Sequence, residues 1–371
     1  MIYLDHGATS YGKPTAVAEA MVRALQLCGN PGRGGHRASR EAARVAYDCR
    51  ELAGQLFDCR PEQVAFTGNC THGLNIAIDT LVKPGDQVLI SGFEHNAVTR
   101  PLYGLGADII VAGRKLFDPA DTLSCWEAAL KKKPKAAVFT HASNVFGYIL
   151  PVEEMARLCL RYSVPFVLDA AQAAGLLPIS LKNLGADFIA MPGHKGLLGP
   201  MGTGLLLCGR QPKPLLRGGT GSNSRLQEMP EELPDRLEAG TLNIPGIAGL
   251  TAGMRYVQRI GMENLISRAV QQQKQCAYEL QHMGFRVFTG APQTGTLSFV
   301  PPRDCETFAE QLAEKGIAVR AGLHCAPLAH ESAGTLETGT VRISFGHDAT
   351  KLQTEKLLAA ISSGKTKKYF Q

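Results

Sequence analysis

Val167-Leu168-Asp169-Ala170-Ala171-Gln172-Ala173, followed by Pro192-Gly193-His194-Lys195-Gly196, decides how this chain is read. The first stretch is an apolar strand pattern that ends in an acid. The second, twenty-six residues on from aspartate to lysine, is a Gly-containing turn that carries an amine. Placed together, the two would hold a pyridoxal phosphate ring. The lysine forms a Schiff base with the aldehyde. The acid pairs with the pyridine nitrogen and keeps it protonated, so the ring withdraws electrons. Read singly, Lys195 is a solvated lysine and Asp169 a turn or helix cap. The signal lies in the pair.

Outward from this pair, strand and helix patterns alternate. Val88–Ser91, Asp108–Ala112, Ala136–Thr140, Pro165–Asp169, Phe188–Met191 and Gly204–Cys208 read as strands. Thr122–Lys132 and Val152–Tyr162 read as helices between them. Short apolar runs that alternate with helices predict a mostly parallel sheet covered on both faces. In such sheets ligands bind beyond the carboxyl ends of the strands, where Asp169 falls. After a Gly- and Pro-rich loop at 211–240, Ile244–Met283 reads as helical. A strand (Thr296–Val300), a helix (Glu306–Lys315), two strands (Ala318–Arg320 and Thr340–Phe345) and a last helix (Thr350–Ser362) then predict a smaller α+β domain. The polar tail from Ser363 is expected to fray.

Composition sets the class. A chain of 371 residues exceeds one typical core, so two domains are expected. With 44% hydrophobic and 19% charged residues it reads as an ordinary globular protein. The net charge of +6 is dispersed. Its one dense run, Lys131-Lys132-Lys133-Pro134-Lys135, reads as a helix C-terminus rather than a nucleic-acid patch, because no aromatic residues interleave with it. The ten cysteines show neither a disulfide framework nor metal-ligand spacing, so no metal is expected. No signal peptide or membrane span is read, and the reducing cytoplasm is the expected compartment.

Further clusters follow the other strand ends. Phe66-Thr67-Gly68-Asn69-Cys70-Thr71-His72-Gly73 is a strand, a polar turn and a helix start. Its free N–H groups and Thr71 suit a phosphate, and a simple N-cap is an equal reading. His95 in Glu94-His95-Asn96 could stack on a flat ring or be a loop residue. Asn144 in Thr140-His141-Ala142-Ser143-Asn144 could bond a ring oxygen or close a capped turn. In Arg320-Ala321-Gly322-Leu323-His324-Cys325-Ala326-Pro327, a cysteine on an exposed loop has Arg320 and His324 to favour its thiolate, the attacking form. A structural cysteine is the alternative. Arg342, in the strand pattern Thr340-Val341-Arg342-Ile343-Ser344, needs a partner. A substrate carboxylate or a structural acid would serve.

These stretches resemble class V aminotransferase-type proteins of pyridoxal phosphate fold type I, and among them the cysteine desulfurases of the SufS/CsdA-like group. The resemblance runs nearly end to end from Tyr3-Leu4-Asp5. It rests on Asp169-x-x-Gln172, Gly193-His194-Lys195 and Arg320-x-Gly322-x-His324-Cys325-Ala326. It implies a seven-stranded large domain over 1–245 and a small α+β domain over 246–371, with roughly the first 12 residues packed on the small one.

By the same resemblance, Lys195 carries the cofactor, Asp169 pairs with its ring nitrogen, Gln172 meets its phenolic oxygen and His95 stacks on it. Thr71, His194 and the backbone at His72 bind the phosphate. Asn144, which stays a cofactor neighbour, holds the substrate carboxylate with Arg342. Arg320 and Arg33 lie near the substrate, and Cys325 takes the sulfur. Thr241, in Glu238-Ala239-Gly240-Thr241, reaches a partner subunit's phosphate, which implies a homodimer.

The implied reaction converts L-cysteine to L-alanine and leaves a persulfide on Cys325. The sulfur would pass to an acceptor that the sequence does not name, for iron–sulfur assembly, thiolation or selenium metabolism. Two departures stand out: His72 replaces a common acid, and Pro192 replaces a common Ser. A selenocysteine lyase, another class V reaction such as transamination or β-elimination, and a silent sulfur-carrier scaffold remain as alternatives.

Overall fold

Six buried strands and one partly buried edge strand place the chemistry at one end of a sheet. The computed structural model describes residues 1–32, 34–222 and 224–366. The chain opens with β1 (Ile2–Tyr3), α1 (Thr15–Leu27) and α2 (Arg37–Phe57). It continues through β2 (Val64–Thr67), α3 (Cys70–Leu81), β3 (Gln87–Ser91), α4 (Asn96–Gly104), β4 (Asp108–Ala112) and α5 (Pro119–Leu130). Then come β5 (Ala136–Thr140), α6 (Val152–Arg161), β6 (Phe166–Asp169), α7 (Leu181–Leu184), β7 (Phe188–Pro192) and β8 (Gly204–Cys208).

The sheet order is β2-β8-β7-β6-β5-β3-β4, and β8 alone runs against the rest. Strands such as Phe166–Asp169 and Phe188–Pro192 are buried at every position, so their sequences are continuous apolar runs without alternation. Helices cover both faces. On α2, Ala42, Ala46, Cys49, Ala53 and Phe57 form one apolar stripe and join the core beneath the sheet. On the other face α3 buries Leu74, Ala77, Ile78 and Leu81. Strand order reverses between β3 and β5, so the carboxyl ends of β3, β5, β6 and β7 surround a switch point. Two glycines bring the key turns together. A Cβ at Gly175 would collide with the Gly196 carbonyl, and one at Gly196 with the Ala174 carbonyl. The backbones that follow Asp169 and Lys195 therefore stack directly.

The second half holds α8 (Ile244–Ile260), α9 (Met262–His282), β9 (Arg286–Phe288), β10 (Thr296–Val300), α10 (Cys305–Glu314), β11 (Ile317–Ala318), β12 (Arg320–Gly322), α11 (Pro327–Ala333), β13 (Thr340–Ser344) and α12 (Lys351–Thr366). α8 presents Ile247, Leu250 and Met254 to the large-sheet core. β12, β13, β10 and β9 form an antiparallel sheet in that order. The strand expected at Ala318–Arg320 is two strands, because the chain changes sheet at Val319. β11 pairs with β1, whereas β12 pairs with β13. Leu4, beside β1, is fully buried in the core of the smaller sheet with Leu297, Phe299 and Val341. α12 continues four residues beyond the expected end at Ser362.

Candidate active site

Strand ends and helix starts surround one cavity with about 520 Å3 of empty space. Of the residues singled out in the sequence, Thr71, His95, Asn144, Asp169, Gln172, His194 and Lys195 line it. His72, Thr241, Arg320, Arg342 and Cys325 do not, and Arg33 lies outside the described residues.

Lys195 follows the end of β7. Burial lowers its amine below the usual lysine range, against the opposing pull of Asp169. This favours the neutral, nucleophilic form. Asp169 is 2% exposed at the end of β6. Its Oδ1 accepts the Ala171 N–H at 2.9 Å and the Cys70 thiol at 3.4 Å. Both contacts fall on one oxygen, which leaves Oδ2 for a cationic ligand atom. Burial and the Asp169 charge push the Cys70 thiol well above its usual range, so it stays a donor.

His95 is the N-cap of α4. Its Nδ1 accepts the Ala97 N–H at 2.9 Å, which puts the ring proton on Nε2. Burial lowers the imidazole, leaving a neutral flat face beside Lys195 and Asp169. Behind it, Glu94 is fully buried. One oxygen accepts the Ser91 hydroxyl and the Thr140 N–H (3.0 Å), and burial pushes its carboxyl up to about 8.

At the start of α3, the Asn69 side chain accepts the His72 N–H at 2.9 Å. The N–H groups of Cys70 and Thr71 remain as the helix's free donors, in a field that favours an anion. The His72 ring turns back to accept the Gly68 N–H at 3.3 Å. On the far wall, His194 meets the Thr9 hydroxyl at 3.0 Å through Nδ1, and burial lowers it to about 4. Gln172 donates to the Gly7 carbonyl at 2.9 Å.

Arg342 sits in β13, directly opposite Arg320 in β12. Two guanidinium groups in cross-strand register repel each other, and Asp5 reconciles them. Its carboxylate accepts Arg342 Nη2 at 2.7 Å and Arg320 Nη2 at 2.7 Å. Arg342 also donates to the Asn144 carbonyl at 2.9 Å. Its Nε and the Asn144 Oδ1 are buried without partners, one donor and one acceptor close to the cavity wall. The buried arginine therefore has a structural acid, and the substrate carboxylate expected from the sequence would have to share it.

Cys325 lies between β12 and α11. All ten cysteines are described, and Cys325 is the exposed one. His324 and Cys325 take positive φ (52° and 55°), a strained backbone for residues with a Cβ. Asn144 Nδ2 donates to the His324 carbonyl at 2.8 Å and the Asn96 N–H to the Cys325 carbonyl at 2.7 Å. These bonds hold the loop at the cavity rim. His324, expected as a positive neighbour of the thiol, does not carry that charge. His324 is buried and driven well below its usual range, with its ring nitrogens turned to His330 and to the Arg320 carbonyl. Arg320 is paired with Asp5. Thr241 is exposed and lines a separate groove with Asn30, Gly32 and Glu238.

Asp5, Cys70 and Glu94 are the site residues the sequence reading left without a role. Asp5 ends the Tyr3-Leu4-Asp5 motif, as Asp169 ends its strand, and that is the signal that was available.

The groups present fit pyridoxal phosphate. An amine with a lowered pKa, a buried carboxylate with one free oxygen, a neutral imidazole face and unspent helix N–H donors meet the aldehyde, ring nitrogen, ring face and phosphate. Fold and site together define a pyridoxal-phosphate-dependent enzyme of fold type I. The chain belongs to the aminotransferase class V family, which matches residues 2–357. It is 31% identical to a probable cysteine desulfurase of Methanothermobacter thermautotrophicus, over 96% of this chain and 92% of that one. It is 33% identical to one from Pyrococcus abyssi, over 93% and 89%. The apo structure of the cysteine desulfurase from Thermococcus onnurineus NA1 superposes with a TM-score of 0.90 at 31% identity, covering 99% and 95%. The cysteine desulfurase CsdA from Escherichia coli, in an S-sulfonic acid form, gives 0.87 at 26%, covering 98% and 94%.

Proposed function

We propose that this enzyme is a cysteine desulfurase that converts L-cysteine to L-alanine and carries the sulfur away as a persulfide on Cys325. The observation that carries the reading is the exposed Cys325 on a strained loop, tied by Asn144 and Asn96 to the rim of the Lys195 cavity. Pyridoxal phosphate, when bound, supplies an electron-withdrawing ring that lets the substrate lose its α-proton and release sulfur from Cβ.

The chain's residues do the rest. Lys195 anchors the cofactor and moves the α-proton through Nζ. Asp169 Oδ2 would pair with the ring nitrogen, while the Cys70 and Ala171 donors fix that carboxylate. His95 would offer its face to the ring and Gln172 its amide to the ring oxygen. Thr71, His194 and the α3 N–H groups would hold the phosphate. Arg342 Nε and Asn144 Oδ1 orient the substrate carboxylate and amine. Arg320 flanks the entrance. The Cys325 thiolate attacks the substrate sulfur. The Cβ–S electron pair stays with carbon and is protonated, so cysteine and one thiol give alanine and one persulfide.

Thr241 serves a second copy of the chain across a homodimer; its place in a separate groove, outside the lining of this chain's own cavity, supports this. The division into domains at 245/246 belongs to the same reading. So do the cytoplasmic setting and the persulfide acceptor protein; among the described residues no helix is long and apolar enough to cross a membrane.

The test quantifies alanine and sulfide from L-cysteine under a reductant. Cys325→Ala should keep the cofactor's visible absorption and lose at least a hundredfold in alanine formation. Normal turnover by that variant would sink the mechanism. Faster turnover of L-selenocysteine that does not require Cys325 would move the function to a selenocysteine lyase.

A further inference from the structure

Three side chains outside the cavity described above converge where the N-terminal segment meets the turn after β13. They are His6, His347 and Asp348, and one ligand atom from each lies within 4.8 Å of the others. We propose that these residues bind a divalent first-row transition metal of the zinc class, with at least one coordination position left to solvent. The inference does not depend on which reaction the enzyme catalyses.

His6 carries the argument. It is 8% exposed, yet neither ring nitrogen has a hydrogen-bond partner. Leaving a buried imidazole unsatisfied is costly and calls for an explanation. The ring cannot swing away. Gly346 packs on its face so closely that a Cβ there would collide with it, and the Tyr3 ring stands edge-on at 5.0 Å. Its Nε2 lies 3.3 Å from Asp348 Oδ1 without the alignment of a hydrogen bond. Two ligand atoms each about 2.0–2.1 Å from a tetrahedral ion stand roughly 3.3 Å apart. That separation suits a shared ion.

His347 is oriented for the same task. Its Nδ1 is buried and unpartnered. The His6 and His347 rings are 6.0 Å apart at 83°. Asp348, with a side chain 47% exposed, gives negative charge and an entry path. The nearby Lys13 ammonium is held by the Ser10 and His194 carbonyls.

Two imidazoles and one carboxylate select zinc, cobalt, nickel or iron(II) over magnesium and calcium, which prefer all-oxygen sets. An ion here would clamp the segment that carries Asp5 and Gly7 to the end of β13. It would border a second cavity, lined by His6, His347, Gln172 and Lys195.

The probe is Co2+, added to chelator-treated holoenzyme that carries Cys325→Ser to remove the exposed thiol. One ion per chain is expected, with d–d bands in the visible and no thiolate charge-transfer band. His347→Gln and Asp348→Asn should each weaken binding at least tenfold. Co2+ at a concentration that just saturates the parent should raise the parent's melting temperature more than that of either variant. Metal-free melting temperatures close to the parent's would show that both variants fold. Absent binding, a thiolate band, or undiminished binding in either variant overturns the proposal.

Discussion

Replacing Asp5 by Asn should loosen the smaller sheet where it faces the site. Arg342 is 2% exposed, and Asp5 is its carboxylate partner at 2.7 Å. Stripping the partner from a buried charge costs about 3–5 kcal/mol. Asparagine keeps one acceptor oxygen, which puts the loss near ~3 kcal/mol on that scale. Arg320 has a half-exposed side chain, so its ion pair adds only about 0.5 kcal/mol. The loss of charge also leaves Arg320 and Arg342 facing each other in register without a counterion. The sum, about 3–4 kcal/mol, equals a factor on the order of a hundred to a thousand in an opening equilibrium. Native-state hydrogen exchange read on the peptide spanning Thr340 to Ser344 should speed up by that factor. In an Arg342→Gln background the same change should cost less than about 1 kcal/mol, because the pair is already broken. A change below tenfold in the single variant would refute the anchoring role of Asp5, and equal costs in both backgrounds would refute the coupling.

Three further outcomes are expected. Glu94 has its carboxyl raised from 4.5 to about 8, so the native state binds the extra proton and stability falls as pH rises through that window. Glu94→Gln should flatten this loss in urea midpoints measured at pH 5 and 8.5; a gap between variant and parent that does not change with pH would contradict the burial argument. Borohydride treatment should fix the cofactor's mass on the peptide carrying Lys195, and Lys195→Ala should carry no label; a label elsewhere would displace Lys195 from its role. Iodoacetamide should alkylate Cys325 before any other thiol. Cys28, Cys59 and Cys125 are only partly exposed, and burial raises the first two, Cys59 to about 11. Mass spectrometry showing another cysteine labelled first would contradict the assigned exposure.

The sequence by itself determined the sheet and the reactive pair. Strands β5, β6, β7 and β8 are short, continuous apolar runs, a pattern that only a sheet covered on both faces requires. Asp169 and Lys195 are tied to the ends of those runs by two and three residues of chain or fewer. Where a side chain is fixed by its own strand end or cap, as with His95 on α4, local periodicity and turn chemistry suffice to place it.

The tertiary structure alone decided the long-range pairings. Asp5 and Arg342 are separated by 337 residues and meet because β1 adds to β11 beside the smaller sheet. His6 reaches His347 by the same route. His324 reads as a positive neighbour for Cys325, yet burial against His330 removes its charge. Charge state and partnership depend on solvent exclusion and on chain segments remote in sequence, and neither leaves a local periodicity to read.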